Sequence, residues 1–264
     1  MEIIGYAASV LIGVSLGLIG GGGSILTVPV LVYLFGIDTL LATEYSLFIV
    51  GVSSAVGSVS YFKKGLVDFK MALIFGVPSV ISIFLTRIYL LPLIPEEIFS
   101  IKNLTVTKNI FLLLIFAFLM ILASYKMIKN QAVGNTAGND FNKNKALLAA
   151  GEGTIVGILI GLVGAGGGFM IIPALVNLLK VPVKTAIGTS LVIISLNSLI
   201  GFSSSIGSTK IEWNLLISIA AIAIIGIIIG SQISKKIDGK KLKPAFGWFI
   251  LVMGIYIIIR EIFL

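Results

Sequence analysis

Cysteine and histidine are both missing from this 264-residue chain. Their absence excludes disulfides, thiolate metal sites, haem ligation through histidine and histidine proton relays. Charge is scarce too, since Asp, Glu, Lys and Arg together make up 11% of the residues. A soluble domain carries about 25%, so the usual solvated surface cannot be built. Polar sequence longer than a loop occurs in one place, the Asn-, Gly- and Lys-rich stretch 129–145. No basic leader or small-residue cleavage site accompanies the first apolar run, which starts at Ile3, so that run is expected to be retained. No paired carboxylates share a helix face, which speaks against a membrane enzyme.

Apolar sequence fills the space those absences leave. Hydrophobic residues are 58% of the chain and the mean hydropathy is +1.15. The chain reads as an all-α integral membrane protein, because runs of roughly 20 apolar residues mark spanning helices. Eight such segments follow one another: 3–35, 39–62, 69–94, 107–128, 146–179, 183–206, 212–232 and 244–263. The pI near 9.6 comes from Lys and Arg in the short connecting loops. There they act as topology signals, and no nucleic-acid partner is expected.

Two of the eight segments are broken by a glycine-rich phrase. The first runs from Gly17 through Gly20, Gly21, Gly22 and Gly23 and closes at Pro29; the second runs from Gly161 through Gly164, Gly166, Gly167 and Gly168 and closes at Pro173. The two are in constant register. An offset of 144 pairs Gly17 with Gly161, Pro29 with Pro173, Ser46 with Ser190, Ser54 with Ser198, Gly57 with Gly201 and Asp68-Phe69 with Glu212-Trp213. The chain therefore reads as two repeats, 1–128 and 146–264, joined by the linker 129–145. Duplications of this kind are common in secondary transporters, where the substrate sits between discontinuous helices.

The basic residues decide how the broken segments run. If each crossed the membrane once, the 19 Lys and Arg would divide nine against ten. If each is a hairpin that returns to its own side, fourteen share one face, and Arg87, Lys102, Lys108, Lys210 and Arg260 take the other. Only the second count has the asymmetry of the positive-inside rule. The expected fold is thus two inverted repeats, each a re-entrant helical hairpin followed by three spanning helices. The linker is expected in the cytoplasm and both termini outside the cell (plasma) membrane, which the chain crosses many times.

In an inverted pair the two hairpin tips meet near the midplane, where the half-helices after the glycines begin. A helix N-terminus offers unpaired N–H donors and a partial positive charge, a receptor for an anion. Gly21, Gly22, Gly23 and Ser24, with Gly166, Gly167 and Gly168, are the candidate substrate-binding residues at these tips. Gly20, Pro29, Gly164 and Pro173 are the candidate hinges, the prolines each freeing a carbonyl. A lone glycine phrase would read as close helix packing; two in register with matched prolines read as a site. The helices 39–62 and 183–206 add Thr43, Ser46, Ser53, Ser54, Ser58 and Ser60 against Thr189, Ser190, Ser195, Asn197, Ser198 and Ser203. Ordinary interhelical bonding would use such hydroxyls at about 0.6 kcal/mol per contact. Ser46, Ser190 and Asn197, as members of matched pairs, and Thr189 next to Ser190 are further substrate-binding candidates. Glu44 and Glu152 are candidate coupling residues, with snorkelling to an interface as the alternative. Arg87 is placed to draw an anion to the outer mouth.

The paired phrases closed by Pro29 and Pro173, the Ala186-Ile187-Gly188-Thr189-Ser190-Leu191 stretch, and the Asp68-Phe69 and Glu212-Trp213 pairs resemble the TauE/SafE-type sulfite exporter family. The first half departs from it with Ala42-Thr43-Glu44-Tyr45-Ser46 at the corresponding place. The resemblance covers nearly the whole chain and implies transport of sulfur-containing or organic anions such as sulfite, thiosulfate or sulfonates. The expected activity is alternating-access secondary transport of a small anion, the alternative being an anion channel with the same site. Proton or sodium is the expected coupling ion, and no cofactor or metal is expected.

The charge count makes a direct topology prediction, with no native cysteine to interfere. Single cysteines at Asn135 and Asp238 should label from the cytoplasmic face, and one at Asn103 from the opposite face. Labelling of 135 and 238 from different sides would exclude the hairpin arrangement.

Overall fold

A computed structural model describes residues 2–20, 23–101, 104–129, 143–179, 181–205, 211–233 and 239–263. Gly21 and Gly22, and most of the linker, lie outside the described residues. In chain order the helices are α1 (Glu2–Ile19), α2 (Ser24–Tyr33), α3 (Thr39–Lys63), α4 (Phe69–Leu93), α5 (Lys108–Lys129), α6 (Lys143–Val163), α7 (Gly168–Pro173), α8 (Val183–Ser203), α9 (Trp213–Ile233) and α10 (Gly239–Phe263). Wide π turns lie within α4 at Thr86–Leu90 and directly after α7 at Ala174–Leu178.

Two strands correct the all-α expectation. Between α4 and α5, β1 (Glu97–Ile101) and β2 (Leu104–Thr107) pair antiparallel, Ile101 opposite Leu104, with a bulge between Glu97 and Phe99. Pro92 and Pro95 stop the preceding helix, and the Ile, Phe, Thr and Val that follow favour a pleated backbone. The rest of the described chain is nearly all helical.

Among the described residues six helical stretches are long and apolar enough to cross a membrane: Thr39–Lys63, Phe69–Leu93, Lys108–Tyr125, Lys145–Val163, Val183–Ser203 and Trp213–Ile233. Their outer surfaces carry exposed Leu73, Ile81, Leu122, Leu147 and Ile225, as helices facing lipid rather than water do. The chain is a multi-pass membrane protein. Local chemistry marks the starts of the spans. Asp38 caps α3 by accepting from Leu40 N–H at 2.9 Å, and Asp68 caps α4 by accepting from Met71 N–H at 3.0 Å.

α3 and α8 form the centre, being 67% buried against half or less for the other spans. They cross in opposite directions, with Gly51 against Leu199, Gly57 against Leu191 and Gly201 against Leu47. Around them lie two close helix pairs. α1 runs parallel to α9: Gly13 meets Ala223, Gly226 and Ile227, and Gly17 meets Ile227, Gly230 and Ser231. α6 runs parallel to α4, with Gly153 on Phe75, Gly157 on Ser79 and Ser82, and Gly161 on Ile83 and Thr86. At an offset of 144 each pair is the other with the halves exchanged, Ser82 and Thr86 standing where Gly226 and Gly230 stand. α3 packs on α9, α8 on α4, and α5 on α10.

The broken segments double back. Gly23 at the start of α2 lies on Ile12, Ser15 and Leu16 of α1, and Phe35 beyond its end returns to Tyr6, with ring centroids 5.5 Å apart. Gly167 likewise lies on Val156 and Ile160 of α6. The arms are unequal, because α1 and α6 have 18 and 21 residues and α2 has 10.

Glycine is required wherever backbone meets backbone, so side chains there should separate the helices. Gly13→Val and Gly157→Val should each lower stability by about 1–3 kcal/mol, read as a lower unfolding temperature in detergent. Gly151→Ala, whose added carbon meets nothing within 4 Å, should leave the temperature unchanged or raise it.

Candidate functional site

Each hairpin turn is closed by the opposite half. Gly20 ends α1 at φ 72° and lies against Ile187 in the first turns of α8; Gly164 ends α6 at φ 71° and lies against Thr43 in the first turns of α3. Only glycine adopts this backbone without strain. The Ser190 hydroxyl donates to Gly20 O at 3.0 Å, and also to Ile187 O at 2.9 Å, so it fixes the first turn.

The glycines after the turns divide into two roles. A Cβ on Gly23 would strike Ile12, Ser15 and Leu16, and one on Gly167 would strike Ile160, so both are packed on their own incoming arm. Gly166 (φ 61°) faces the centre instead. A Cβ there would stand 3.2 Å from Ser24 Cβ, 3.4 Å from Ser198 Oγ and 2.5 Å from Val50 Cγ1. The start of α2 and the loop before α7 therefore meet where α3 and α8 cross. Gly168 opens α7 and is buried. Pro29 lies inside α2, and Pro173 ends α7 immediately before its π turn.

On the helices that meet there, several buried polar groups are unsatisfied. Thr27 on α2, Ser46, Ser53 and Ser54 on α3, and Ser198 on α8 are fully buried, and their hydroxyls have no hydrogen-bond partner. Hydroxyls elsewhere on the same helices bond back to their own backbone, as Ser58 does to Ala55 O and Ser203 to Ile200 O. A buried unbonded hydroxyl costs about 1–3 kcal/mol, and packed interiors rarely contain several together. Asn197 joins them: its Nδ2 donates to Ser79 Oγ at 2.7 Å while its Oδ1 has no partner. The two ends of an amide have the same shape. Turned over, it would accept from Ser79 and present its amide protons where Oδ1 has no partner.

Other sequence candidates fall elsewhere. Thr189 Oγ1 accepts from Asp68 N–H at 2.9 Å, which ties α8 to the start of α4. Its counterpart Tyr45 Oη accepts from Glu212 N–H at 2.6 Å, beside a cavity of about 460 Å³ lined by Tyr6, Glu212, Trp213, Asn214, Leu215 and Ser218. Glu152 is half-buried on α6. Glu44 is buried on α3 and is an electrostatic neighbour of Arg87 on α4. Among the described residues no three acidic groups gather to hold a metal ion. Thr27, Ser79 and Tyr45 complete the set; the offset of 144 puts Ile171, Ala223 and Thr189 opposite them, so residue type gave no match.

A multi-pass helical bundle whose broken helices enclose a buried polar centre has the build of a membrane transporter. Comparison with known proteins agrees. Residues 5–257 match the sulfite exporter TauE/SafE family, and the chain belongs to that family. It is 28% identical over 263 residues to a probable membrane transporter protein of Xylella fastidiosa (strain Temecula1), covering 98% of this chain and 95% of that one. It is also 28% identical over 264 residues to the probable membrane transporter protein YunE of Bacillus subtilis, with 93% of each chain covered. The probable membrane transporter protein MJ0441 of Methanocaldococcus jannaschii is 27% identical over 271 residues, covering 97% and 94%. No solved structure matches the chain significantly.

Because the orphaned hydroxyls make no bond, their removal should not weaken the fold. Ser53→Ala, Ser54→Ala and Ser198→Ala should unfold at or slightly above the native temperature. Thr189→Val, which strands the Asp68 N–H, should cost about 1–3 kcal/mol. A uniform loss of stability across all four would show that the hydroxyls are structural.

Proposed function

We propose that the protein is a secondary transporter of a small anion, such as sulfite, thiosulfate, a sulfonate or a related organic anion. The observation that carries this reading is the set of buried, unbonded hydroxyls, Thr27, Ser46, Ser53, Ser54 and Ser198, on the three helices α2, α3 and α8 whose residues Ser24, Val50 and Ser198 surround Gly166. Hydroxyl protons and the first N–H groups of two half-helices are donors, no carboxylate is among them, and a low dielectric strengthens every such bond. An anion of a few oxygens fits that chemistry. The names of the relatives and the family support the transport class.

The pattern of contacts supports alternating access. Exchanged halves make the same pairs, α1 with α9 and α6 with α4, while α3 and α8 run antiparallel. This pattern supports two inverted repeats, with α1–α2 and α6–α7 as re-entrant hairpins entering from opposite sides. Transport is then the rocking of one half against the other around the crossing of α3 and α8. Among the described residues Lys63, Lys64, Lys70, Lys129, Lys143, Lys145 and Lys184 cluster at the helix ends toward the linker, whereas Arg87, Lys108 and Arg260 lie toward the opposite ends. The proposal therefore places the linker in the cytoplasm and both termini outside the plasma membrane. Proton or sodium is the proposed coupling ion, with Glu44 and Glu152 as its candidate carriers.

Purified protein in liposomes should accumulate sulfite or thiosulfate above equilibrium when a proton or sodium gradient is imposed. Gly166→Leu, which fills the space between Ser24 and Ser198, should reduce uptake at least about tenfold. Downhill flux without accumulation under any gradient would replace the carrier by a channel, and the absence of any anion flux would refute the reading.

A further inference from the structure

Arg87 stands apart from the tip site. It lies in the π turn Thr86–Leu90 of α4, is 5% exposed, and sits within a membrane-spanning stretch. Its Nη1 donates to Ser205 Oγ at 2.8 Å and its Nη2 to Thr43 Oγ1 at 3.1 Å, while its buried Nε has no partner. Both groups that it bonds are neutral. Its one charged neighbour among the described residues is Glu44, which makes no ion pair with it. A buried guanidinium with one N–H unbonded and no carboxylate in contact is an incomplete coordination shell.

Position adds a second argument. Thr43, which Arg87 holds, is also the residue that closes the turn at Gly164. Seven residues along α3 from Thr43 is Val50, which lies against Gly166 at the tip site. Seven residues of helix rise about 10 Å. Arg87 on α4 is therefore tied to α3 about two turns from the residue that meets Gly166. The feature belongs to one half alone, because an offset of 144 puts Ser231 at the place of Arg87 and Gly188 at that of Glu44.

From this geometry we infer a second anion site, distinct from the tip site, in which Arg87 Nε and its fork bind an oxyanion with Thr43 and Ser205 as neighbouring hydroxyls. The planar guanidinium suits two oxygens at once. Glu44 weakens the site by like-charge repulsion of the ligand, so the anion is held loosely and passes on. This is what a station on a conduction path requires. The inference rests on the reading of the protein as an anion transporter, and it makes the two membrane sides unequal.

The test is equilibrium dialysis of the purified full-length protein against ³⁵S-sulfite at constant ionic strength, with monodispersity checked for every variant. The wild type should bind two sulfites. Arg87→Gln combined with Glu44→Gln, which keeps the net charge of the buried pair, should bind one, and the Ser54→Ala/Ser198→Ala double variant should retain the Arg87 site. Arg87→Lys should weaken that site about tenfold, because the lysine loses the fork and Nε donor. Glu44→Gln should tighten it about tenfold, an effect that one unit charge several ångström away produces at an effective dielectric near 20. A merely structural pair would not tighten.

Two sulfites bound by the Arg87 and Glu44 double variant would overturn the inference and leave the tip site standing. A single wild-type site lost only in that double variant would keep the Arg87 site and overturn the tip reading. A single site lost in both double variants would overturn their separateness. No saturable binding by the wild type would remove both.

Discussion

Backbone inside hydrocarbon must find partners within the protein, and two breaks in otherwise apolar helices make that demand the governing constraint of this fold. Each break keeps backbone bonds within its own half, such as Gly20 N–H to Leu16 O and Gly164 N–H to Ile160 O, and is covered by the other half. Gly20 is seated on Ile187 and bonded by Ser190, and Gly164 is seated on Thr43. Each turn therefore needs the first turns of the other half's long helix, so α3 and α8 have to occupy the centre together. Their antiparallel crossing then brings the start of α2 and the residue Gly166 to one place. The polar cluster there is a consequence of how the breaks are closed.

The same constraint explains where the helices touch most closely. α1 and α6 must run beside a partner for their whole length to carry a turn to depth. Small residues let backbones come together when no hydrophobic force drives helices to associate in lipid. One pair uses Gly13 and Gly17 against Gly226 and Gly230; the other uses Gly157 and Gly161 against Ser82 and Thr86. Serine and threonine replace glycine there without loss of the pairing. What is kept between the halves is the size of the residue at the contact.

Much of this arrangement was legible in the sequence. Apolar runs of spanning length, the constant register and the two breaks define the segments, and the helices follow them closely. Ser190 and Asn197, marked as members of matched pairs, do sit at the turn and at the hydroxyl cluster. Other residues were readable by type and yet misleading in role. Gly23 and Gly167 look like openings for a ligand, but both are filled by their own incoming arms. Thr189 lies one residue from Ser190 and points to the cap of α4, because successive residues on a helix face directions about 100° apart. The β hairpin after α4 left no clear signal because its strands are only five and four residues long and fall in the connection between two apolar segments.

The sequence by itself determined the solvent, the approximate limits of the apolar segments and the two breaks, because composition and spacing act locally along one chain. The tertiary structure decided which glycine faces a partner and which faces the centre, which hydroxyls are bonded and which are left over, and that Arg87 meets Thr43 and Ser205. Those outcomes depend on how helices more than a hundred residues apart are rotated against one another. Rotation is fixed by packing across the halves, and no residue pattern within a single helix records it.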